Sequence, residues 1–156
     1  MKLIPLTQGK FATVDDEDYE KLIVYRWRYD SGYAKCGHSK YGDMWRMHEM
    51  ILGVPPLGHV WDHINRDGTD NRKANLRLAT RSQNGSNRDL LKNNTLGYKG
   101  IKKLEYKGKI KYLARIVKDG VSYSLGSYFT KEEAALAYNQ KAKELFGEFA
   151  QLNMLD

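Results

Sequence analysis

The stretch Trp61 to Asn87, WDHINRDGTDNRKANLRLATRSQNGSN, decides the reading of this chain. Asp62-His63 is followed twelve residues after the histidine by Asn75, and nine further on by Asn84. Hydrolysis of a phosphodiester needs a general base, a carboxylate ligand for a cation and polar groups that orient them, and His63, Asp62, Asn75 and Asn84 supply that set. An imidazole with an unperturbed pKa of about 6.5 is largely neutral near pH 7 and can take a proton from water. Asn75 is expected to accept a hydrogen bond from the His63 ring and so set its tautomer. Asp62 and the amide oxygen of Asn84 are hard donors that suit Mg2+ or Mn2+ rather than zinc.

Local patterns place these groups. Gly58 to Ile64 reads as a strand, Asn65 to Asn71 as a turn-rich loop and Leu76 to Ala79 as a second strand, after which Thr80 caps a helix through Arg88. Working toward the N-terminus, Gly53 and Pro55-Pro56 stop a helix over Trp45 to Leu52 that puts Met47, Met50 and Ile51 on one face. Arg28 to Trp45, punctuated by Gly32, Gly37 and Gly42, reads as a hairpin. Asp15 to Asp18 lead a short helix carrying Tyr19 and Leu22, and Lys2 to Ile4 and Lys10 to Val14 read as strands.

The chain has 156 residues, 41% of them hydrophobic, enough for two small globular modules. Its net charge of +7 favours a polyanionic partner, with nucleic acid first. Cys36 is the single cysteine, which excludes an intramolecular disulfide and a zinc ribbon. The opening residues, MKLIPLTQGKFATVDD, lack the apolar core of a signal peptide or membrane span, so a location inside a cell, away from membranes, is expected.

Toward the C-terminus, residues 89 to 96 (DLLKNNTL) lack apolar periodicity and hold the linker, placed at 93–96 between modules 1–92 and 97–156. Three strand-like runs follow, Tyr98 to Leu104, Lys111 to Lys118 and Val121 to Phe129, the last two joined by the hairpin signal Asp119-Gly120. A helix starts at Thr130 with Glu133 completing a capping box and ends near Gly147, and Ala135, Tyr138, Ala142, Leu145 and Phe149 form its apolar stripe. Residues 97 to 130 hold eight Lys/Arg against Glu105 and Asp119, a balance of +6, whereas 131 to 156 come to -2. Alternation turns Tyr112, Ala114, Ile116, Tyr123 and Leu125 toward the helix and Lys111, Leu113, Arg115, Ser122 and Ser124 outward, onto a face narrow enough for a DNA groove.

The Asp-His, Asn and Asn pattern, with the segments LTQGKFATVDDEDYEKL and RMHEMIL, resembles the HNH homing endonucleases of phages and introns over about residues 1 to 92. That resemblance implies a ββα-metal fold in which Asp62 and Asn84 bind the cation, His63 is the base and Asn75 positions it, with cleavage leaving 5'-phosphate ends. Asn84 stands where many members have a second histidine, making an H-N-N variant. His48 matches a family position and is expected either to pack locally or to face the site. A phage- or mobile-element-encoded protein in the cytoplasm of a bacterial host is implied as well.

The segments GYKGIKKL and ARIVKDGVSYSLGSYFTKEEAALAYNQKAKELFGEFAQLN resemble the AP2 DNA-binding domain. By that likeness Lys99, Lys102, Lys109, Lys111, Arg115 and Ser124 contact duplex DNA, although Tyr112 and Ser124 stand where the family often has large aromatics or arginines. The expected architecture is thus α+β: a small ββα-metal nuclease domain with a β-rich N-terminal extension, then a three-stranded antiparallel sheet on one helix. The expected function is a site-recognising, metal-dependent DNA endonuclease with no obligate protein partner; the alternative is a non-catalytic DNA-binding regulator that keeps a nuclease-like shell.

Overall fold

The computed structural model describes residues 1–37, 44–90 and 93–155. Packing divides the chain into two compact units, Met1–Arg81 and Ser82–Asp156. The division falls ahead of the stretch read as a linker, of which Leu91 and Lys92 lie outside the described residues. Gly42, read as a hairpin punctuator, also lies outside them.

In the first unit, β1 (Lys2–Pro5) and β2 (Phe11–Val14) form an antiparallel hairpin. Alternation buries Ile4, Ala12 and Val14 and leaves Leu3 and Phe11 exposed. Asp16, Glu17 and Asp18 occupy the first turn of α1 (Asp16–Leu22), where negative charge meets the unpaired amides of the helix start. Leu22 closes the same core, and the Trp27 indole N–H donates to the Leu22 carbonyl (2.8 Å), satisfying the one polar atom of a buried Trp.

A second small sheet has the order β3 (Arg28–Asp30), β4 (Tyr33–Gly37), β5 (Met44–Arg46), all antiparallel. The β3–β4 turn is tight: Ser31 and Gly32 both have positive φ (52° and 87°), the combination that matches strand twist in a two-residue hairpin. The helix α2 spans Met47–Leu52 rather than starting at Trp45. Trp45 and Arg46 pair with Cys36 and Lys35 instead, so the ladder satisfies their backbones, and the Glu49 carboxylate accepts from the Arg46 amide (3.2 Å). Met47 and His48 are buried at the first turn of α2.

The ribbon of β6 (His59–His63) and β7 (Leu76–Thr80) carries the site. Its long connection is fastened to β2: the Thr13 amide donates to the Thr69 carbonyl (2.9 Å), and the Asn71 amide donates to the Thr13 carbonyl (2.8 Å). Lys73 adds a backbone bond to the Asp15 carboxylate (2.8 Å) and ion pairs with Glu17 and Asp18.

The division falls within α3 (Arg81–Ser86), whose residues from Ser82 open the second unit; the helix starts after Thr80 as expected but ends before Arg88. An antiparallel meander follows, β8 (Ile101–Tyr106), β9 (Lys109–Lys118) and β10 (Val121–Tyr128), with β9 central. The first strand begins at Ile101 rather than Tyr98 because Gly97 and Gly100 both take positive φ (76° and 71°), which breaks extended pairing. Asp119 and Gly120 also have positive φ, making the tight hairpin that their identity signals. The capping box at α4 (Lys131–Phe146) is present in both directions: Thr130 Oγ accepts from the Glu133 amide and the Glu133 carboxylate accepts from the Thr130 amide, each 3.2 Å.

The helix packs on the sheet through Ile116, Tyr138, Ala142 and Phe146, with Tyr123, Leu125, Leu145 and Phe149 around them. Ala114 and Ile116 are buried and Arg115 is exposed, the alternation anticipated for β9. The C-terminal tail is fastened by the reciprocal pair of Asn139 and Asn153 (2.9 and 2.7 Å). Among the described residues no helix is long and apolar enough to cross a membrane.

A Cβ on Gly100 would stand 2.3 Å from the Tyr138 ring and 2.5 Å from the Arg115 carbonyl, on a residue whose φ is already unfavourable to side chains. Gly100→Ala is expected to destabilise the second unit by about 2–4 kcal/mol, combining overpacking with backbone strain. A urea titration of the variant against the wild type checks it.

Candidate nuclease site

Asp62 and His63 end β6, and both are buried, at 4% and 5% exposure. Across the ribbon Asp62 pairs in register with Arg77, whose Nε donates to Asp62 Oδ2 at 2.9 Å. A buried carboxylate and a partly buried guanidinium so placed stabilise each other, and loss of Arg77 would leave the Asp62 charge in a poorly solvated setting.

The His63 ring is held by a residue that the spacing of the motif does not single out. Its Nε2 lies 3.2 Å from Asn71 Oδ1, and Asn71 is 1% exposed. The orientation of that carboxamide is determined, because Asn71 Nδ2 donates to the Thr69 carbonyl (3.1 Å), leaving the oxygen toward the histidine. An amide oxygen only accepts, so Nε2 carries the ring proton and Nδ1 is the basic nitrogen of the neutral imidazole. In sequence Asn71 is one more turn residue in an Asn- and Asp-rich loop; its signal is the burial that no local pattern reports.

Asn75, expected to accept from His63, serves the loop instead. Its Oδ1 accepts from the Asn65 amide (3.0 Å), and its Nδ2 donates to Asn65 Oδ1 (2.9 Å) and the Asp70 carbonyl (2.8 Å). The Ile64 amide donates to the Asn75 carbonyl (2.9 Å), so Asn75 clamps the two residues that directly follow His63. The physical reason is supply: the loop has many backbone groups without ladder partners, and the short amide side chain reaches them. Asp70 stiffens the far side through two bonds from Arg72 (2.8 and 2.6 Å), which hold its carboxyl below the usual carboxylate range.

Around the His63 ring lies an aromatic wall. The His48 and His63 rings are 5.1 Å apart, edge to face, and Tyr33 lies 6.0 Å from His48 and 5.8 Å from His63. Burial, with the His63 ring and the Arg46 guanidinium as smaller contributions, drives His48 down to about 3. Burial also lowers His63, against the opposing pull of the Asn71 bond and of Asp62, Asp67 and Asp70. Both rings are therefore neutral at pH 7, the state a base requires. Gly68 brings the loop onto the β3–β4 turn so closely that a Cβ there would stand 2.4 Å from the Gly32 carbonyl and 2.6 Å from the Tyr33 ring.

The comparisons with known proteins bear on this arrangement. Residues 45–86 match the family described as HNH endonuclease, a span that includes His48, Asp62, His63, Asn71, Asn75 and Asn84. A protein of Acanthamoeba polyphaga mimivirus named as an uncharacterized HNH endonuclease is 33% identical, over 96% of this chain and 78% of its own length. The chain belongs to the HNH endonuclease family. It is accordingly a DNA-cleaving enzyme, of a family that generally depends on a divalent metal. No solved structure matches the chain.

For this HNH endonuclease, Asp62, His63 and Asn75 come together on one ribbon and its loop, whereas Asn84 is half-buried on α3, in the second compact unit. Among the described residues no three His, Cys, Asp or Glu side chains gather as a metal cluster. Asp62 offers a carboxylate and Asn84 an amide oxygen, each a donor type that a hard cation takes, and the Asp62 carboxylate accepts from Arg77 Nε.

On the second unit, Lys102, Lys109, Lys111, Arg115 and Ser124 are exposed on the sheet. Lys99 is placed otherwise: its ammonium donates to the Ser86 and Arg88 carbonyls (2.6 and 2.7 Å), at the end of α3. Helix C-termini leave carbonyls without partners, and a lysine satisfies them well.

The unfolded chain takes a proton at His48 below pH 6.5, while the folded chain does so only near pH 3. Protonation therefore favours the unfolded state through that window, and stability present above pH 6.5 is lost as pH falls toward 3. Between pH 7 and pH 5 the loss from His48 is expected to be about 2 kcal/mol. Urea melts at the two values measure it, and His48→Phe should flatten that part of the profile.

Proposed function

We propose that this HNH endonuclease is a site-recognising, homing-type enzyme that hydrolyses DNA phosphodiester bonds with Mg2+ or Mn2+, and that residues 97–156 form an AP2-like module which binds duplex DNA. In this reading residues 1–92 are the nuclease domain and 93–96 the linker. The observation that carries it is the buried contact of His63 Nε2 with the Asn71 carboxamide oxygen, one residue from the Asp62 carboxylate. That contact leaves Nδ1 as the base.

In the mechanism, His63 Nδ1 takes a proton from the water that attacks phosphorus. Asn71 keeps the ring in the tautomer that makes this possible, and Asn75 keeps the backbone after His63 from moving. Asp62 and Asn84 would hold the cation, whose chemistry when bound is to polarise a phosphoryl oxygen and stabilise the leaving 3' oxygen. Arg77 offsets the charge of Asp62, and of the Arg and Lys side chains from residues 66 to 81 that would hold the DNA backbone, Arg72, Lys73 and Arg77 stand in ion pairs within the unit.

On the C-terminal sheet, Lys102, Lys109, Lys111 and Arg115 form a basic face with Ser124 among them, the composition a phosphate backbone selects. Lys99, committed to carbonyls, supports the module rather than the DNA. No base preference follows from these residues. A face of three strands spaced about 4.8 Å apart is narrow enough for the major groove of duplex DNA, about 12 Å wide.

His63→Ala should lower cleavage of plasmid DNA in Mg2+ by roughly 10²–10⁴ while leaving DNA affinity nearly unchanged. Cutting at the wild-type rate by that variant overturns the assignment. Replacing Lys102, Lys111 and Arg115 together by Gln should reduce the slope of log Kd against log salt by about 3. Fluorescence anisotropy over a NaCl series measures that slope.

A further inference from the structure

Tyr33 lies outside the segment that matches the HNH family, yet it is built into the site. The β3–β4 turn that precedes it is clamped to the catalytic loop at Gly68 with no space for a methyl group, so its ring is held at a set place beside the His63 and His48 rings. The two histidines are almost wholly covered, but Tyr33 is 37% exposed. A strand delivering a phosphate to His63 has to pass over what stands uncovered next to it.

Arg46 is the second uncovered group. Its guanidinium carbon lies 5.9 Å from the Tyr33 ring centre, and its side chain is 51% exposed. Its ion pair with Glu49 is loose, 3.5 Å between Nη1 and Oε1, the kind of exposed contact that contributes little to stability and yields readily to a better anion. A guanidinium within about 6 Å of an aromatic face is attracted by the ring, and with half of the Arg46 side chain exposed its donors are accessible to a phosphate.

We propose that Tyr33 and Arg46 form the strand-entry step of the nuclease site, with Arg46 binding a backbone phosphate that flanks the scissile one and Tyr33 serving as the platform that aims it and packs against the adjoining sugar. The proposal rests on the nuclease reading given above and names a substrate contact of that same site. It assigns Tyr33 and Arg46 to substrate binding and leaves proton transfer to His63.

The test uses the full chain and a short DNA duplex in EDTA, with binding followed from 50 to 200 mM NaCl, and cleavage in Mg2+ measured separately. Arg46→Gln is expected to reduce the salt slope by about 1, and to raise KM several-fold with kcat held within about 2-fold, since a flanking phosphate is gripped equally in ground and transition states. Arg46→Lys should keep the slope. Glu49→Gln keeps a capping side chain at that position and removes the competing carboxylate, so it should tighten DNA binding several-fold. In a chain that already carries Tyr33→Leu, the further change Arg46→Gln should have little left to remove, because the platform that aims the guanidinium is gone. A salt slope and KM unchanged in Arg46→Gln, or unchanged affinity in Glu49→Gln, overturns the proposal. A wild-type chain that binds but does not cut would instead overturn the nuclease reading, leaving the slope to judge the strand contact.

Discussion

The structure of the site depends on one buried hydrogen bond, between the His63 ring and the Asn71 carboxamide, and that bond exists because the loop bearing Asn71 is stitched to β2. Thr13 provides both stitches, one from its amide and one to its carbonyl, so a hairpin far upstream in the chain sets where Asn71 stands. Buried polar side chains are costly unless their partners are complete. Asn71 meets that condition: its oxygen, its amide nitrogen and its backbone amide all have partners. The same bonds that keep a carboxamide out of water thereby orient an imidazole.

Around this bond the first unit divides its labour by element. The ribbon β6–β7 brings Asp62 and His63 to its end, and the cross-strand Arg77 compensates the charge of Asp62. Asn75 and Asp70 hold the connecting loop, one by its backbone groups and one through a guanidinium. Tyr33 and His48 close one side of the imidazole with rings, which excludes water and keeps both histidines uncharged. Neutrality is thus produced by packing in spite of nearby carboxylates.

Much of this was legible in the residues. The turn residues Asp119-Gly120, the Thr130/Glu133 box and the alternation about Arg115 report local geometry, and local geometry is what sequence patterns carry. The Asp62-His63 pair at a strand end was legible for the same reason. What escaped was set by distant contacts. Asn71 and Asn75 are alike as turn formers, and only the docking onto β2 decides which of the two faces the ring. Trp45 fits a helical spacing, but pairing with Cys36 draws it into a strand. Lys99 counts as one more positive charge in a basic run until the open carbonyls at the end of α3 claim it.

The chain's seam between compact units falls between Arg81 and Ser82, at the first turn of α3, so Asn84 travels with the basic sheet and not with Asp62. A recombination event that exchanged the C-terminal unit at this seam would carry off one of the proposed ligands, whereas an exchange made in the stretch after Asp89 would leave the motif whole. On the proposed ligand set, any inherited shuffling of C-terminal units that preserved activity would have to cut on the far side of α3, and an engineer building chimaeras of this nuclease meets the same restriction.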